Sequence, residues 1–155
     1  MIPRILVQAA DFDPGDEAAA LAAPSRDVGA VVTFIGHCRD EGGKLSALEI
    51  EHYPGMAEAE IARVAEEALA RWPLDGLTLI HRFGRIDPGG RIVFVGAASR
   101  HRGAAFAAAE MLMDFMKTRA PFWKRAIRAD GTAQAWVEAA EGDGDAAKRW
   151  EADKK

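Results

Sequence analysis

The chain of 155 residues is 49% hydrophobic and 28% charged, with a net charge of −4 and a pI near 5.6. This composition predicts a globular protein that buries its own core without a metal or disulfide, and the lone Cys38 excludes an internal disulfide. The acidic balance argues against general binding to nucleic acid or membranes, and no signal segment or membrane-length apolar run is present. We therefore expect one cytoplasmic domain over residues 1–155, with a polar, partly helical tail from residue 140.

The first elements of the chain are a strand and a short helix. Residues 4–8 are mostly apolar and predict a strand. Asp13 and Pro14 have the pattern of an N-cap followed by proline at the first helical position, so a helix begins there and ends before Pro24.

Two strands follow, joined by a polar turn. Residues 29–39, GAVVTFIGHCR, are apolar and β-branched, which predicts a largely buried strand. Residues 45–53 alternate, with Leu48 and Ile50 on one face and acidic residues on the other. Because the turn DEGGK at 40–44 lies between them, we expect the two strands to pair as a hairpin.

A long amphipathic helix occupies the middle of the chain. Pro54 and Gly55 open it, and Pro73 ends it. Its apolar residues recur at helical spacing and predict one stripe that faces a core. The stripe consists of Ile61, Val64, Ala65, Ala68, Leu69 and Trp72.

The second half predicts a pair of strands, a second long helix and another pair of strands. Each pair surrounds a turn signal, DPGG in the first and DG in the second. Pro121 ends the helix because the residue before a proline avoids the helical conformation. The predicted ranges are 77–83 and 91–98 for the first pair, about 101–119 for the helix, and 122–128 and 133–138 for the second pair. Hairpins with long helices between them indicate an α+β domain with a mainly antiparallel sheet.

Several common catalytic and ligand-binding motifs are absent from the sequence. No GxxxxGK[ST] or GxGxxG pattern occurs, so neither a P-loop nor a Rossmann nucleotide site is predicted. The histidines at 37, 52, 81 and 101 lack metal-ligand spacing, so we predict no metal site. Cys38 lies in an apolar strand and is expected to be buried like a small hydrophobic residue rather than to act as a nucleophile.

One segment gathers positive charge in this acidic chain. The stretch from Lys117 to Arg128 contains five cationic residues and no carboxylate, and the run RAPFW lies between Lys117 and Lys124. Taken singly, Lys117 is a cation favoured at a helix C-terminus, and Arg119 and Arg125 form a solvated face. Taken together, these cations suit an anionic ligand. Lysines beside aromatic rings and other cations have lowered pKa values, which permit acid, base or nucleophilic chemistry.

Two smaller basic groups fit the same need for an anion site. Arg39 ends the strand over 29–39 and is expected at a sheet edge. Ser99 can cap the second long helix, so His101 and Arg102 stand at a helix N-terminus, where basic side chains and backbone amides bind anions. The alternative for His101 and Arg102 is capping and surface charge alone.

Several stretches of the chain are long enough to indicate a family. The most specific are MKTRAPFWKR at 116–125 and EHYPGM at 51–56. The others are GAVVTFIGHCRD at 29–40, RWPL at 71–74, IHRFGRIDPGGRIVFVG at 80–96, SRHRGAAFAAAEMLMDF at 99–115 and AAKRW at 146–150. In this order they resemble the large, catalytic subunit of molybdopterin synthase, whereas residues 1–27 add little beyond a compatible length.

The resemblance implies a function, partners and a fold. Members of this family convert cyclic pyranopterin monophosphate to molybdopterin by adding two sulfurs as a dithiolene. The sulfur arrives as a thiocarboxylate on the C-terminal Gly-Gly of a small ubiquitin-like partner subunit, so no metal, organic cofactor or cysteine of this chain is expected to be needed. The family forms a heterotetramer with a homodimer of large subunits at its centre. Its fold is an α/β hammerhead-type domain with an antiparallel sheet.

The resemblance also implies site residues in this sequence. Lys117 matches the lysine beside the partner's C-terminus, and Lys124 matches the second active-site lysine, so both are expected to be catalytic. The implied substrate-binding residues are His37, Cys38, Arg39, His101, Arg102, Arg125 and Ala126. His37 departs from the family, which often has lysine at this position. Phe122 and Trp123 are expected to anchor the turn in the core rather than to stack on the pterin.

The two ends of the second long helix raise a geometric problem. Arg102 and Lys117 are fifteen residues apart, which is about 22 Å along a helix axis. The resemblance nevertheless assigns both residues to one substrate. We therefore expect a homodimer with two composite sites, in which His101 and Arg102 of one copy reach the Lys117 pocket of the other.

The sequence leaves open two alternative functions that differ from sulfur transfer. A non-enzymatic module would bind RNA or another anion through Lys117 to Arg128, although the acidic pI and the absence of an RNA-binding signature argue against it. Alternatively, the chain is a scaffold for the small subunit, with catalysis elsewhere.

Overall fold

The computed structural model describes residues 1–137 and 150–151, whose strands form two sheets. In chain order the elements are β1 (Arg4–Gln8), α1 (Pro14–Ala22), β2 (Ala30–His37), β3 (Leu45–His52), α2 (Met56–Arg71), β4 (Gly76–Arg82), β5 (Gly84–Ile86), β6 (Arg91–Ser99), α3 (Arg102–Thr118) and β7 (Phe122–Arg128). The predicted α+β class, with long helices and mainly antiparallel strands, is confirmed.

The larger sheet is the centre of a three-layer core. Its strand order is β1-β4-β6-β2, with β1 parallel to β4 and the other pairs antiparallel. α1 covers one face, where Leu21 clusters with Ile80 and Phe94, and α2 and α3 cover the other. Because both faces are covered, the interior residues of β4 and β6 are buried throughout, and these strands have nearly continuous apolar sequences.

The second sheet has the order β5-β3-β7 and is antiparallel. β5, which was not predicted, follows β4 after one residue. Gly84 has a φ of 87°, a left-handed conformation that glycine adopts readily, and it leads the chain from one sheet into the other. The predicted hairpin of residues 29–39 with 45–53 is wrong, because β2 pairs with β6 while β3 pairs with β5 and β7. The alternation of apolar and polar residues identifies a strand, but the strand with which it pairs depends on residues that are distant in the sequence.

β2 also differs from its predicted burial. It is an edge strand with β6 as its neighbour, and Val31 and Phe34 are 36% and 40% exposed. The strand ends at His37, so Cys38 and Arg39 lie beyond it. Apolar and β-branched residues favour the strand conformation itself, whereas the place of a strand within a sheet depends on distant partners.

The helices begin and end close to their predicted signals. Asp13 caps α1 by accepting a hydrogen bond from the backbone N–H of Asp16 at 3.0 Å. Ser99, in contrast, is not the cap of α3, because it is the buried last residue of β6. Its hydroxyl donates to the carbonyl of Pro73 at 2.8 Å and accepts from the backbone N–H of His101, the observed N-cap, at 3.4 Å. In α2 the predicted stripe faces the core, with Ile61, Val64, Ala65 and Ala68 buried.

After β7 the chain turns back on itself around Gly131, as predicted. The returning residues do not form the predicted continuous strand over 133–138. They make isolated antiparallel bridges, which join Val137 to Lys124 and Ala133 to Ile127.

The C-terminal residues that the structure describes fold back onto the long helices. Trp150 and Glu151 are helical. The Trp150 indole N–H donates to Oδ2 of Asp114 in α3 at 2.6 Å, and its ring meets that of Trp72 edge-to-face at 5.8 Å. Glu138 and the rest of the predicted tail from residue 140, including most of the AAKRW stretch, lie outside the described residues. Within the described part of the chain, no helix is both long and apolar enough to cross a membrane.

Candidate functional site

A small pocket lies where α3 and β7 meet the edge of the larger sheet. Its volume is about 50 Å³, which is room for a few water molecules. The lining residues are Phe34, Gly36, His37, His81, Ile92, Val93, Met113, Met116, Lys117 and Lys124. Apolar walls, four basic side chains and no carboxylate among the described lining residues make this pocket a candidate site for an anion.

Strand alternation decides which side chains of β7 reach the pocket. Phe122, Lys124 and Ala126 share one face of β7, and Trp123 and Arg125 share the other. Phe122 is 3% exposed and anchors the strand in the core, as predicted. Lys124 therefore lines the pocket, whereas the neighbouring Arg125 does not.

The two lysines predicted to be catalytic meet at this pocket although they belong to different elements. Lys117 lies in the last turn of α3, where the helix dipole favours a cation. The backbone of Lys124 exchanges two hydrogen bonds with Val137, at 2.9 and 2.7 Å, and β3 pairs with the opposite edge of β7. Among residues 1–137 and 150–151, no carboxylate lies within ion-pair distance of Lys117.

His81 is a pocket residue that the sequence analysis missed. It is 3% exposed, and its ring stacks on Phe122 with the centroids 3.9 Å apart and the planes at 18°. The pKa of His81 is lowered to about 3, first by burial and then by the positive charges of Lys124 and Lys117. Its sequence signal is a single histidine directly after the apolar run LTLI, in a strand that the helices bury.

The predicted residues 37–39 lie in three different environments, namely the pocket, the core and the exposed surface. His37 lines the pocket, and its Nδ1 lies 3.3 Å from the carbonyl oxygen of Gly89. Cys38 is buried as expected, and burial raises the pKa of its thiol, with Glu41 contributing next. Arg39 is exposed and is not among the residues that line the pocket. Contacts of these residues with a substrate stay a prediction.

Arg125 and Ala126 lie on opposite faces of β7. The Arg125 guanidinium pairs with Glu49 of β3, at 2.8 Å from Nε and 2.7 Å from Nη2, and lies 4.5 Å from the ring centroid of Trp136. Ala126 shares the face of Lys124. The cationic segment, which contains no carboxylate in sequence, therefore has carboxylate partners in space, and Arg119 likewise pairs with Glu151.

His101 and Arg102 lie at the far end of α3 from the lysine pocket. Both are exposed, and neither lines the pocket. Along the helix, Arg102 and Lys117 are separated by about 22 Å. Phe106, one turn after Arg102, is 60% exposed. A single copy of the chain therefore does not bring the predicted His-Arg pair to the lysines.

The side chains of the pocket are of types that bind anions and transfer protons. Lys117 and Lys124 can hold an anion and donate or accept protons, and His81 remains a neutral ring between pH 4 and pH 8 because its pKa is about 3. Among the described residues, no three His, Cys, Asp or Glu side chains are grouped so that they could hold a metal ion.

Known proteins resemble this chain over nearly its whole length. The family model described as "MoaE protein" matches residues 7–119. The molybdopterin synthase catalytic subunit of Mesorhizobium japonicum is 62% identical over 150 residues, which cover 97% of this chain and 94% of that protein. The subunit of the same name from Brucella melitensis is 60% identical over 151 residues, covering 97% and 93%.

Solved structures resemble the fold as well. The molybdopterin biosynthesis MoaE protein of Burkholderia ambifaria superposes with a TM-score of 0.83 at 42% identity, covering 96% of this chain and 98% of that one. A complex of subunits 1 and 2 of the molybdopterin-converting factor of Helicobacter pylori has a TM-score of 0.69 at 20% identity, covering 91% and 92%. Because the identity to the Helicobacter pylori complex is only 20%, this similarity supports the fold alone.

Proposed function

The chain belongs to the MoaE family of molybdopterin synthase catalytic subunits, and on that premise we propose that it transfers sulfur to cyclic pyranopterin monophosphate to form the dithiolene of molybdopterin. The observation that carries this proposal is the meeting of Lys117 and Lys124 at one pocket. We further propose that the sulfur is delivered as the C-terminal thiocarboxylate of a small ubiquitin-like partner, so the reaction needs no cysteine of this chain and no cofactor.

The charges of the proposed reactants explain the basic pocket. A cyclic phosphate and a thiocarboxylate are both anions, so their approach is unfavourable unless cations offset the repulsion. Lys117 and Lys124 supply that charge and stabilise the negative charge that develops on the phosphate as its ring opens. Either lysine can act as the acid or the base of the proton transfers.

The size of the pocket favours the partner's tail as its occupant. A volume of about 50 Å³ marks a narrow pocket, which suits the end of a Gly-Gly chain because that chain has no side chains. We infer that the tail enters as an extended peptide and that the pterin binds at the mouth. We expect this reaction to take place in the cytoplasm.

A second copy of the chain would complete the site. His101 and Arg102 lie too far from Lys117 to share a small ligand within one copy, at about 22 Å along the helix axis. The edge strand β2 exposes Val31 and Phe34, and Phe34 also lines the pocket. A two-fold dimer would then form two composite sites, because an isologous contact places each helix start near the other copy's helix end.

Reconstitution tests the proposed function directly. The protein is mixed with a thiocarboxylated small subunit and cyclic pyranopterin monophosphate, and dithiolene formation is measured. Absence of product with an active partner would contradict the proposal. The RNA-binding alternative is weakened by the pairing of Arg125 with Glu49 and of Arg119 with Glu151. Tight RNA binding that is lost steeply on adding salt would revive it.

A further inference from the structure

The C-terminal segment that the structure describes is anchored to both long helices around Trp150. At the end of α2, Nη2 of Arg71 donates to the Trp150 carbonyl oxygen at 2.8 Å, and the Trp72 ring meets the indole edge-to-face at 5.8 Å. Directly after α3, Arg119 forms an ion pair with the next residue of the segment, Glu151. These contacts fix the place of the indole, so the direction of its N–H is defined, as a positioning residue requires.

The indole N–H of Trp150 binds a carboxylate of α3. Nε1 donates to Oδ2 of Asp114 at 2.6 Å. A hydrogen bond to an ionised acceptor is short and about twice as strong as one between neutral groups. Trp150 also lines a cleft together with Val64 of α2 and Met111 of α3. The hydrogen bond therefore holds the Asp114 carboxylate on the side of α3 where the C-terminal segment packs.

Asp114 is also a near neighbour of Lys117, which lies three positions later in α3 and lines the candidate site. Side chains at this spacing are neighbours on the surface of a helix, where a carboxylate and an ammonium group attract each other. Nevertheless, no carboxylate of the described residues lies within ion-pair distance of Lys117. The carboxylate of Asp114 is therefore directed to the indole of Trp150 rather than to Lys117.

We propose that Trp150 is a positioning residue that acts through Asp114, because its indole N–H holds this carboxylate away from Lys117 and leaves the ammonium charge to an anionic ligand. A carboxylate paired with Lys117 would offset the positive charge and repel an incoming anion. Further contacts of the Asp114 carboxylate are compatible with this role, since they leave Lys117 unpaired as well. The inference deepens the proposed function and rests on it for the identity of the anion.

Rescue by a second substitution separates this role from support of the fold. Trp150→Phe keeps a ring but deletes the donor, and kcat/KM for sulfur transfer should fall about two- to fivefold, the range that an exposed ion pair produces. Asp114→Asn removes the charge but keeps an acceptor oxygen for the indole, so this variant should stay near wild type. The double variant should recover the activity that Trp150→Phe loses. Full activity of Trp150→Phe, or an equal loss in the single and double variants, would overturn the proposal.

NMR of the lysine side chains tests the inference without substrate or partner. The measurement is the change that Asp114→Asn causes in the ε-carbon resonance of Lys117. We expect a larger change in the Trp150→Phe background than in the wild-type background, because the released carboxylate then lies beside the ammonium group. Trp136→Phe, which deletes an indole N–H elsewhere, is the matched control background and should give the wild-type change. Equal changes in all three backgrounds overturn the proposal. The expected NMR result combined with no sulfur transfer by the wild-type protein overturns the proposed function instead.

Discussion

Lys117 differs from the other cations of its segment in what surrounds it. Arg125 pairs with Glu49, and Arg119 pairs with Glu151, whereas no carboxylate of the described residues reaches Lys117. A cation at a helix C-terminus is already favoured by the helix dipole, so it needs no ion pair to be stable. The charge of Lys117 is therefore available to a ligand.

Lys117→Ala is expected to keep the fold and lose sulfur transfer. An exposed substitution of this kind changes the free energy of unfolding by about 0.5 kcal/mol or less, whereas loss of a catalytic acid or base lowers the rate about 10²–10⁴-fold. Thermal melting and the rate of dithiolene formation measure the two effects separately. Near-wild-type turnover would contradict the catalytic assignment and favour a scaffold.

Lys117→Arg distinguishes proton transfer from charge. A guanidinium keeps the positive charge but does not release a proton near neutral pH. We therefore expect this variant to bind the partner and still fail in sulfur transfer. If the turnover assay instead returns full activity, the role of Lys117 is charge alone.

His81 makes the folded protein sensitive to acid. Its pKa is about 3 in the folded chain, against an ordinary value of 6.5. Between these values the unfolded state binds more protons, so the free energy of unfolding falls as the pH drops from about 6.5 towards 3, by up to about 1.4 kcal/mol per pH unit. Above pH 6.5 this residue contributes no pH dependence. Urea titrations at several pH values should give a flatter slope for His81→Phe, while the exposed His101→Phe should retain it.

At the scale of elements, α3 carries predicted site residues at both of its ends. His101 and Arg102 stand at its start, and Lys117 lies in its last turn. Asp114, one turn before Lys117, accepts a hydrogen bond from Trp150 of the C-terminal segment. This contact ties the lysine-bearing end of the helix to the rest of the protein.

Trp150→Phe should destabilise that end of the protein. The change deletes the indole N–H that donates to Asp114 at 2.6 Å but keeps a ring against Trp72. A hydrogen bond to a charged group contributes about 1.5–3 kcal/mol, and a loss in that range is expected in urea denaturation. Trp136→Phe, at a residue that is 37% exposed, is the control and should stay within about 0.5 kcal/mol of wild type. Equal stability of the two variants would rule out a stabilising role for the Trp150–Asp114 contact.

At the scale of the molecule, the exposed edge of the larger sheet is the feature that one copy leaves incomplete. Within the residues that the structure describes, the outer edge of β2 pairs with no strand, and Val31 and Phe34 of this strand are exposed. Exposed apolar edge strands favour association with another chain. The homodimer and the single-domain organisation of residues 1–155 both stay predictions.

Subunit mixing tests the composite site. Lys117→Ala and Arg102→Ala are each expected to be inactive, but a mixed dimer contains one site with both native residues. Activity should therefore return when the two variants are mixed under conditions that exchange subunits. If exchange is verified by mass spectrometry and no dithiolene forms, each site belongs to one chain.

The partner's tail provides the other test at this scale. Removing the two C-terminal glycines from the small subunit should abolish sulfur transfer, because the shortened end no longer reaches Lys117 at the narrow pocket. Docking through the remaining surface should persist in a pull-down assay. A truncated partner that still delivers sulfur would be incompatible with an inserted tail.

Local chemistry explains why most helices and strands of this protein are predictable from its sequence. The Asp13 cap, the apolar stripe of α2 and the stop at Pro121 each depend on residues within a few positions of one another, and each is found in the structure. The two lysines that line the pocket were predicted as site residues from a short basic and aromatic segment and from the family motif that contains it, and their catalytic role stays a prediction.

Contacts between distant residues decided what the sequence did not. The partners of β2 and β3, the pairing of Arg125 with Glu49 and the stacking of His81 on Phe122 each join residues more than 30 positions apart. A local pattern specifies that a segment is a strand. It does not specify which strands lie next to that segment in the sheet, or whether a charged residue of the strand faces a pocket. Those choices follow from packing the whole core at once, because the free energy of burial depends on every element that covers a given face.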